Sequence, residues 1–210
     1  MLVLLLIMNK LGISIIIPCY NAGNFLIEAV DSILIQSFRY PFEIIIVDDG
    51  STDEKTLLSL KEIENKNKVK IIKFSHNYGA QHARNTGLKL AIFDFILTID
   101  SDDCLNVNTK VLENGTYTDR AIDILNTFPD VAFVHSMVEM FGEYSGLTMY
   151  SYPLNEFLVL EKYHVQTNIV YRKQDAFNAG LYNESIKKWQ DWSFAIAILN
   201  SRFLLGKKMI

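Results

Sequence analysis

Acidic residues gather in two short runs, Asp48-Asp49-Gly50-Ser51-Thr52-Asp53 and Asp100-Ser101-Asp102-Asp103, each directly after a stretch of aliphatic residues. A third polar turn, Pro18-Cys19-Tyr20-Asn21, follows a run of the same kind. Five carboxylates drawn into one crevice (Asp48, Asp49, Asp100, Asp102 and Asp103) repel one another unless a cation or hydrogen-bond donors compensate. A hard divalent ion with oxygen ligands does this best. The spacing of Asp100, Asp102 and Asp103 suits Mn²⁺ or Mg²⁺ that also borrows oxygens from a substrate diphosphate. The competing explanation is that these residues are caps and turn formers, roles that Asp and Ser often fill. It is preferred for Ser51 and Asp53. For Asp49 and the acids between Asp100 and Asp103, which end apolar strands directly, the functional explanation is preferred.

The elements that must position these groups follow from periodicity. Ile13 to Ile17 and Glu43 to Val47 are continuous apolar, β-branched runs of the kind found in buried parallel strands. Between them Leu26, Val30, Ile33 and Leu34 recur at helical spacing, which makes a βαβ unit. The pattern repeats. Ser51 or Thr52 is expected to cap a helix carrying Leu57, Leu60 and Ile63. Val69 to Phe74 then reads as a strand, Tyr78 to Ala91 as a helix and Phe93 to Ile99 as a fourth strand. The fold class expected is α/β, an open, mostly parallel sheet flanked by helices and wound like a nucleotide-binding domain, with ligands outside the carboxyl ends of the strands. Beyond Cys104 the rhythm loosens. A helix over Asn108 to Asn126, a strand over Val131 to His135, and helices over Lys173 to Ala179 and Gln190 to Phe203 are expected. The weakly patterned stretch holding Gly142, Gly146 and Pro153 is a place for a substrate loop. No internal repeat or linker divides the chain, so residues 1–210 are read as one domain.

Composition narrows the class of function. The chain has 210 residues, 50% of them hydrophobic, with 20 Lys and Arg against 24 Asp and Glu. That is one compact domain, burying roughly 70% of its unfolded surface and needing no disulfide staples. A net charge of -4 supplies no basic footprint for a phosphate backbone, which argues against nucleic acid as a partner. Only Cys19 and Cys104 are present, without CxxC spacing, so a reducing, cytoplasmic compartment is the expectation. The apolar run Met1 to Met8 is less than half of the roughly 20 residues a membrane helix needs, and its lysine follows it, the reverse of a secretory signal. It reads as an apolar extension, with Met8 as an alternative start.

In this setting the sequence resembles the family 2 glycosyltransferases, the inverting GT-A type. Ser14 to Asn21 (SIIIPCYN) is similar to that family's opening strand, and Ile46 to Asp53 (IVDDGSTD) to its nucleotide-base turn. Ile99 to Asp103 (IDSDD) is similar to its metal-binding DXD segment. Asn77 to Leu88 (NYGAQHARNTGL) matches the segment joining its third and fourth strands. Gly180-Leu181-Tyr182-Asn183-Glu184 and Gln190-Asp191-Trp192 resemble the acceptor-side segment and the catalytic acid, with departures: the family usually has Glu where Gln190 stands.

The resemblance implies a transferase moving a sugar from a nucleoside diphosphate donor, UDP-linked in the first instance, to a hydroxyl of a glycan or glycolipid acceptor. Pro18, Tyr20, Asn21 and Asp49 would hold the nucleotide, with Asp49 accepting from the base imide. Arg84 would approach the base or phosphates, unless it is a surface charge. Asp102 would meet ribose or metal, Asp103 the metal, and Asp100 would join them or hydrogen-bond nearby. Mn²⁺ or Mg²⁺ would neutralise the departing diphosphate. Asp191 would take the acceptor's proton, held ionised at a helix start between Trp189 and Trp192. Two rivals stand beside this. A sugar nucleotidyltransferase should carry a glycine-rich basic loop where Pro18 to Asn21 stands, and a decayed module would bind donor without turnover. His76, His82, His135 and His164 show no ligand spacing, Cys19 reads as a packed residue, and Lys66 and Lys68 as a solvated turn. The family often continues past the catalytic helix, so truncation at Ile210 and peripheral membrane association through the acceptor are further expectations.

Overall fold

The computed structural model describes residues 10–108, 115–148, 154–163 and 165–207. The expectations for Met1 to Met8, His164 and Ile210 lie outside these. Four strands alternate with three helices in the first half: β1 (Ile13–Cys19), α1 (Phe25–Leu34), β2 (Phe42–Asp48), α2 (Glu54–Ile63), β3 (Val69–Lys73), α3 (Ala80–Leu90) and β4 (Phe95–Thr98). The second half contributes α4 (Tyr117–Thr127), β5 (Phe133–Val134), β6 (Val138–Met140), β7 (Gly146–Thr148), α5 (Glu156–Glu161), β8 (Val170–Arg172), α6 (Lys173–Asn178) and α7 (Gln190–Leu204).

The main sheet has the order β3-β2-β1-β4-β8-β5. β1 pairs in parallel with both β2 and β4, while β8 is antiparallel to β4 and β5. The chain therefore winds outward from β1 to β3 and then restarts on the other side of β1. That reversal puts the switch point, where ligands of open α/β sheets bind, between the carboxyl ends of β1 and β4.

Alternation along the buried strands divides the core in two. Ile13, Ile15 and Ile17 with Ile44, Ile46 and Leu97 face the layer holding Leu26, Val30, Ile33 and Ile122. Ile16, Ile45, Val47 and Ile96 face Leu88, Tyr182, Phe194 and Ile198 on the other side. α3 lies close against β1 because Gly87 has no side chain: a Cβ there would fall 2.4 Å from Ile16 Cγ2. Gly50, at φ +75°, serves the β2 exit similarly, since a Cβ would meet the His76 carbonyl carbon at 2.6 Å.

Two local expectations are corrected. The cap of α2 is Asp53, whose carboxylate accepts from Thr56 N–H at 2.9 Å, and not Ser51 or Thr52. Asn21 Oδ1 already accepts from Thr52 N–H and Asp53 N–H, which carries the turn one residue further before the helix starts. Leu57 is exposed, and the inner face of α2 is Thr56, Ser59, Leu60 and Ile63. Of the helix expected over Asn108 to Asn126, α4 supplies the part from Tyr117, capped by Thr116, and residues 109–114 lie outside the described residues. The weakly patterned stretch contains a separate two-stranded hairpin, β6 against β7.

Candidate functional site

The exits of β1, β2 and β4 converge at one edge, as the polar turns require. Asp100, Asp102 and Asp103 follow β4 and line a cleft of about 740 Å³. The β6–β7 hairpin, from Val138 to Tyr144, forms an outer wall, and Asp191 at the start of α7 lines the same cleft. A smaller hollow of about 420 Å³ lies beside it, lined by Tyr20, Asn21, Gly23, Lys55 and Asp102 among others. Asp102 and Phe25 line both, so Asp102 stands where the two spaces meet.

The residues of the β1 and β2 exits differ in what they offer. Tyr20 is half exposed, whereas Pro18 is buried within β1 opposite Val47. Asn21 sits in the left-handed region at φ 51°, and its side chain holds the turn before α2. Asp49 is buried, and its two oxygens accept from Tyr78 N–H and Gly79 N–H, each at 2.8 Å. It ties the β2 exit to the start of α3.

Arg84 is not a surface charge. The buried residues of α3 include the polar Gln81, Arg84 and Asn85, and Arg84 is only 4% exposed. Its Nη2 donates to Asp100 Oδ1 at 2.7 Å and its Nη1 to Gln190 Oε1 at 3.1 Å. Nη1 also lies 3.5 Å from Asp191 Oδ1, and the guanidinium carbon is 5.5 Å from the Tyr182 ring centroid. Burial alone would weaken this charge, but Asp100, Tyr182 and Asp191 more than offset it, and the guanidinium is held protonated more firmly than usual. The second oxygen of Asp100 accepts from the Thr167 hydroxyl at 3.1 Å. The residue sequence had left between metal and neighbours is thus fully engaged by Arg84 and Thr167.

Asp191 is mostly buried, and burial outweighs the helix start in setting its pKa. Burial raises its pKa, Arg84 opposes this in part, Asp100 adds to it, a hydrogen bond from the Thr167 side chain lowers it, and the backbone of α7 contributes least. The result is a carboxylate more basic than usual, with Oδ1 buried and not hydrogen-bonded. The segment is entered through Trp189 at φ 53°, a left-handed conformation unfavourable for a large side chain. Trp189 and Trp192 meet edge to face at 6.2 Å. Asp103 is pushed up to about 6, first by partial burial and then by Asp100 and Asp102.

Gly180 to Glu184 does not face the Asp191 cleft. It lines a different hollow of about 590 Å³ with Asn85 and Lys89. There Asn85 donates to Glu184 at 2.8 Å and to the Tyr182 carbonyl at 2.9 Å, and His82 contacts Glu184 at 3.1 Å. Thr167 carried no motif that could have marked it, and Asn85 and His82 lay inside the matched Asn77 to Leu88 segment without a signal of what they bind. Gln190 was visible only as a departure from the family pattern.

A doubly wound sheet whose switch point carries an acidic strand exit, faced across a cleft by a basic carboxylate, defines a GT-A fold. Residues 14–131 match the family model described as Glycosyl transferase family 2, and the chain belongs to that family. GgaA of Bacillus subtilis strain 168, described as a minor teichoic acid biosynthesis protein, is 31% identical over 206 residues, covering 93% of this chain and 44% of GgaA. The crystal structure of S. aureus TarS 1–349 in complex with UDP-GlcNAc matches with a TM-score of 0.67 and 26% identity, over 90% of this chain and 54% of that one. The Pyrobaculum calidifontis mannosyltransferase PcManGT, with GDP-Man and Mn²⁺, shares the fold at a TM-score of 0.66 and 18% identity, over 93% of this chain and 53% of that one. The chain thus spans about half the length of these relatives. Among the described residues no helix is long and apolar enough to cross a membrane.

Proposed function

We propose that this chain carries the donor and catalytic sites of an inverting glycosyltransferase that moves a sugar from a UDP-linked donor to a hydroxyl of a glycan or glycolipid. The observation that carries the reading is the single cleft in which Asp100, Asp102 and Asp103 face Asp191. The hollow beside Tyr20 and Asn21 takes the nucleoside, and Asp102 at the junction places the diphosphate at the mouth of the larger cleft. The donor sugar and the acceptor hydroxyl then meet beside Asp191. Its raised pKa makes it a better proton acceptor for a hydroxyl attacking the anomeric carbon opposite the departing diphosphate. TarS bound to UDP-GlcNAc, matched at 26% identity, supports a uridine donor.

A divalent cation fits the donor set. Among the described residues no group of three or more His, Cys, Asp or Glu side chains is spaced to hold one alone. Asp102 and Asp103 would hold Mn²⁺ or Mg²⁺ together with donor oxygens; partial burial first, and then the charges of Asp100 and Asp102, raise the Asp103 pKa, and a cation there would relieve the second of these. The ion supplies charge neutralisation for the leaving diphosphate. Calorimetric titration of UDP, GDP and CDP, with Mn²⁺ and then with EDTA, tests this. Micromolar binding of UDP that EDTA abolishes is expected, and binding of none of them would overturn the reading. Slow hydrolysis of the UDP-sugar separates a transferase from a decayed binding module, which leaves it intact.

A further inference from the structure

The transferase reading gives Asp191 a task, and the groups behind it determine how well it performs. Arg84 has one positive charge and faces three acceptors: Asp100 at 2.7 Å, Gln190 at 3.1 Å and Asp191 at 3.5 Å. The first two distances are hydrogen bonds, and the third is too long to be a good one. Gln190 Oε1 therefore occupies the guanidinium nitrogen that would otherwise close on Asp191. Asp191 Oδ1 is left buried and without a hydrogen bond, while its charge is still felt by Arg84. The Gln190 amide nitrogen lies 3.4 Å from the Lys187 carbonyl, which orients the amide with its oxygen toward Arg84.

We infer that Gln190 is a positioning residue for the transfer reaction: it holds Arg84 off Asp191 with a neutral oxygen, so that the base stays both available and basic. The inference rests on the assignment of Asp191 as the base. Two substitutions then act in opposite directions. Gln190→Leu removes the competing acceptor, and Arg84 Nη1 closes onto Asp191, stabilising its ionised form. Gln190→Glu keeps the acceptor but places a third carboxylate around one guanidinium, which opposes ionisation of Asp191. The other charged or titratable groups around Asp191 are unchanged in both variants. They are Asp100 after β4, Tyr171 on β8, Tyr182 after α6, and Asp102, Asp103, Glu139, Glu143, Tyr144 and Tyr163 around the cleft.

The test is the pH dependence of kcat for the full chain, read as hydrolysis of whichever of UDP-glucose, UDP-galactose or UDP-N-acetylglucosamine the wild type turns over. Saturating donor and Mn²⁺ keep Asp102 and Asp103 from entering the profile through donor binding. The acidic limb is expected to move to lower pH in Gln190→Leu, with a lower plateau, and to higher pH in Gln190→Glu, each by up to about one unit. Limbs that stay in place, or that move the same way in both variants, overturn the inference while leaving the transferase assignment intact. A wild type that turns over no nucleotide sugar overturns the transferase assignment and this inference with it.

Discussion

Replacing Asp191 with Asn separates what the carboxylate does for chemistry from what it does to the fold, because the two effects have opposite signs. Asn keeps the shape and the half-filled hydrogen-bonding capacity but cannot take a proton. Loss of a positioned general base costs about 10²- to 10⁴-fold, equivalent to roughly 3–5 kcal/mol in the barrier at 1.36 kcal/mol per decade. Donor affinity should be unchanged, since Tyr20, Asn21 and Asp102 line a hollow to which Asp191 does not contribute. Stability should move the other way. The folded-state pKa of Asp191 is raised, chiefly by burial, so the ionised carboxylate is less favourable in the folded chain than in the unfolded one. The penalty is absent below the ordinary Asp pKa and grows as pH rises through the elevated folded value. Arg84 loses a contact at 3.5 Å but keeps Asp100 at 2.7 Å, so its own charge remains paired. Asp191→Asn should therefore unfold at an equal or higher temperature than wild type at pH 7, with the difference shrinking toward pH 4. Transfer rate, calorimetric UDP affinity and thermal unfolding at both pH values are the assays. Near-normal turnover would remove the base assignment, and a destabilised variant at pH 7 would show the electrostatic reasoning to be wrong.

Asp102→Ala and Asp103→Ala should each weaken Mn²⁺-dependent UDP binding, measured by calorimetry; an unchanged metal dependence would refute their assignment. Gly87→Ala should destabilise by about 1–3 kcal/mol in urea unfolding despite the gain in helix propensity, because the new methyl overlaps Ile16 Cγ2. Combining it with Ile16→Ala should cost less than the sum of the two single changes, and additivity would show that the overlap is not the cause. Asp175→Asn should cost about 3–5 kcal/mol by the same measurement, since it leaves the buried Arg202, which Asp175 meets at 2.6 Å, without its counter-charge.

The first half of the fold was legible because its strands are buried on both faces and end abruptly. Ile13 to Cys19 and Phe42 to Asp48 are continuous apolar runs, and Pro18, Asp48 and Asp100 mark where they meet the site. Sequence could not choose among Ser51, Thr52 and Asp53 as the α2 cap, because the choice is made by Asn21, some thirty residues away in the chain. β8 gave no signal. Three residues have no readable period, and their pairing with β4 and β5 is set by long-range contacts. The site was legible in its acids and opaque in their relations. α3 buries Gln81, Arg84 and Asn85, so an amphipathic reading places Arg84 in solvent. Only the structure shows that this helix turns its polar residues toward another part of the protein.

That polar inner face of α3 explains how the strand exits and the segment leading to Asp191 form one unit although they come from distant stretches of chain. Gln81 donates to the Ile186 carbonyl, Arg84 binds Asp100 and Gln190, and Asn85 fixes the backbone of Tyr182. The strand exits are rigid because their backbones belong to the parallel core, whereas the segment from Gly180 to Trp189 has no strand partner and carries two non-glycine residues, Leu181 and Trp189, in the left-handed region. Such conformations persist only where surrounding contacts over-determine them. α3 supplies those contacts, and Gly87 lets it approach β1 closely enough to do so. The position of Asp191 relative to Asp102 is therefore set through α3 packed on β1, and a change at Gly87 or Arg84 reaches the proposed base and donor site from behind the cleft.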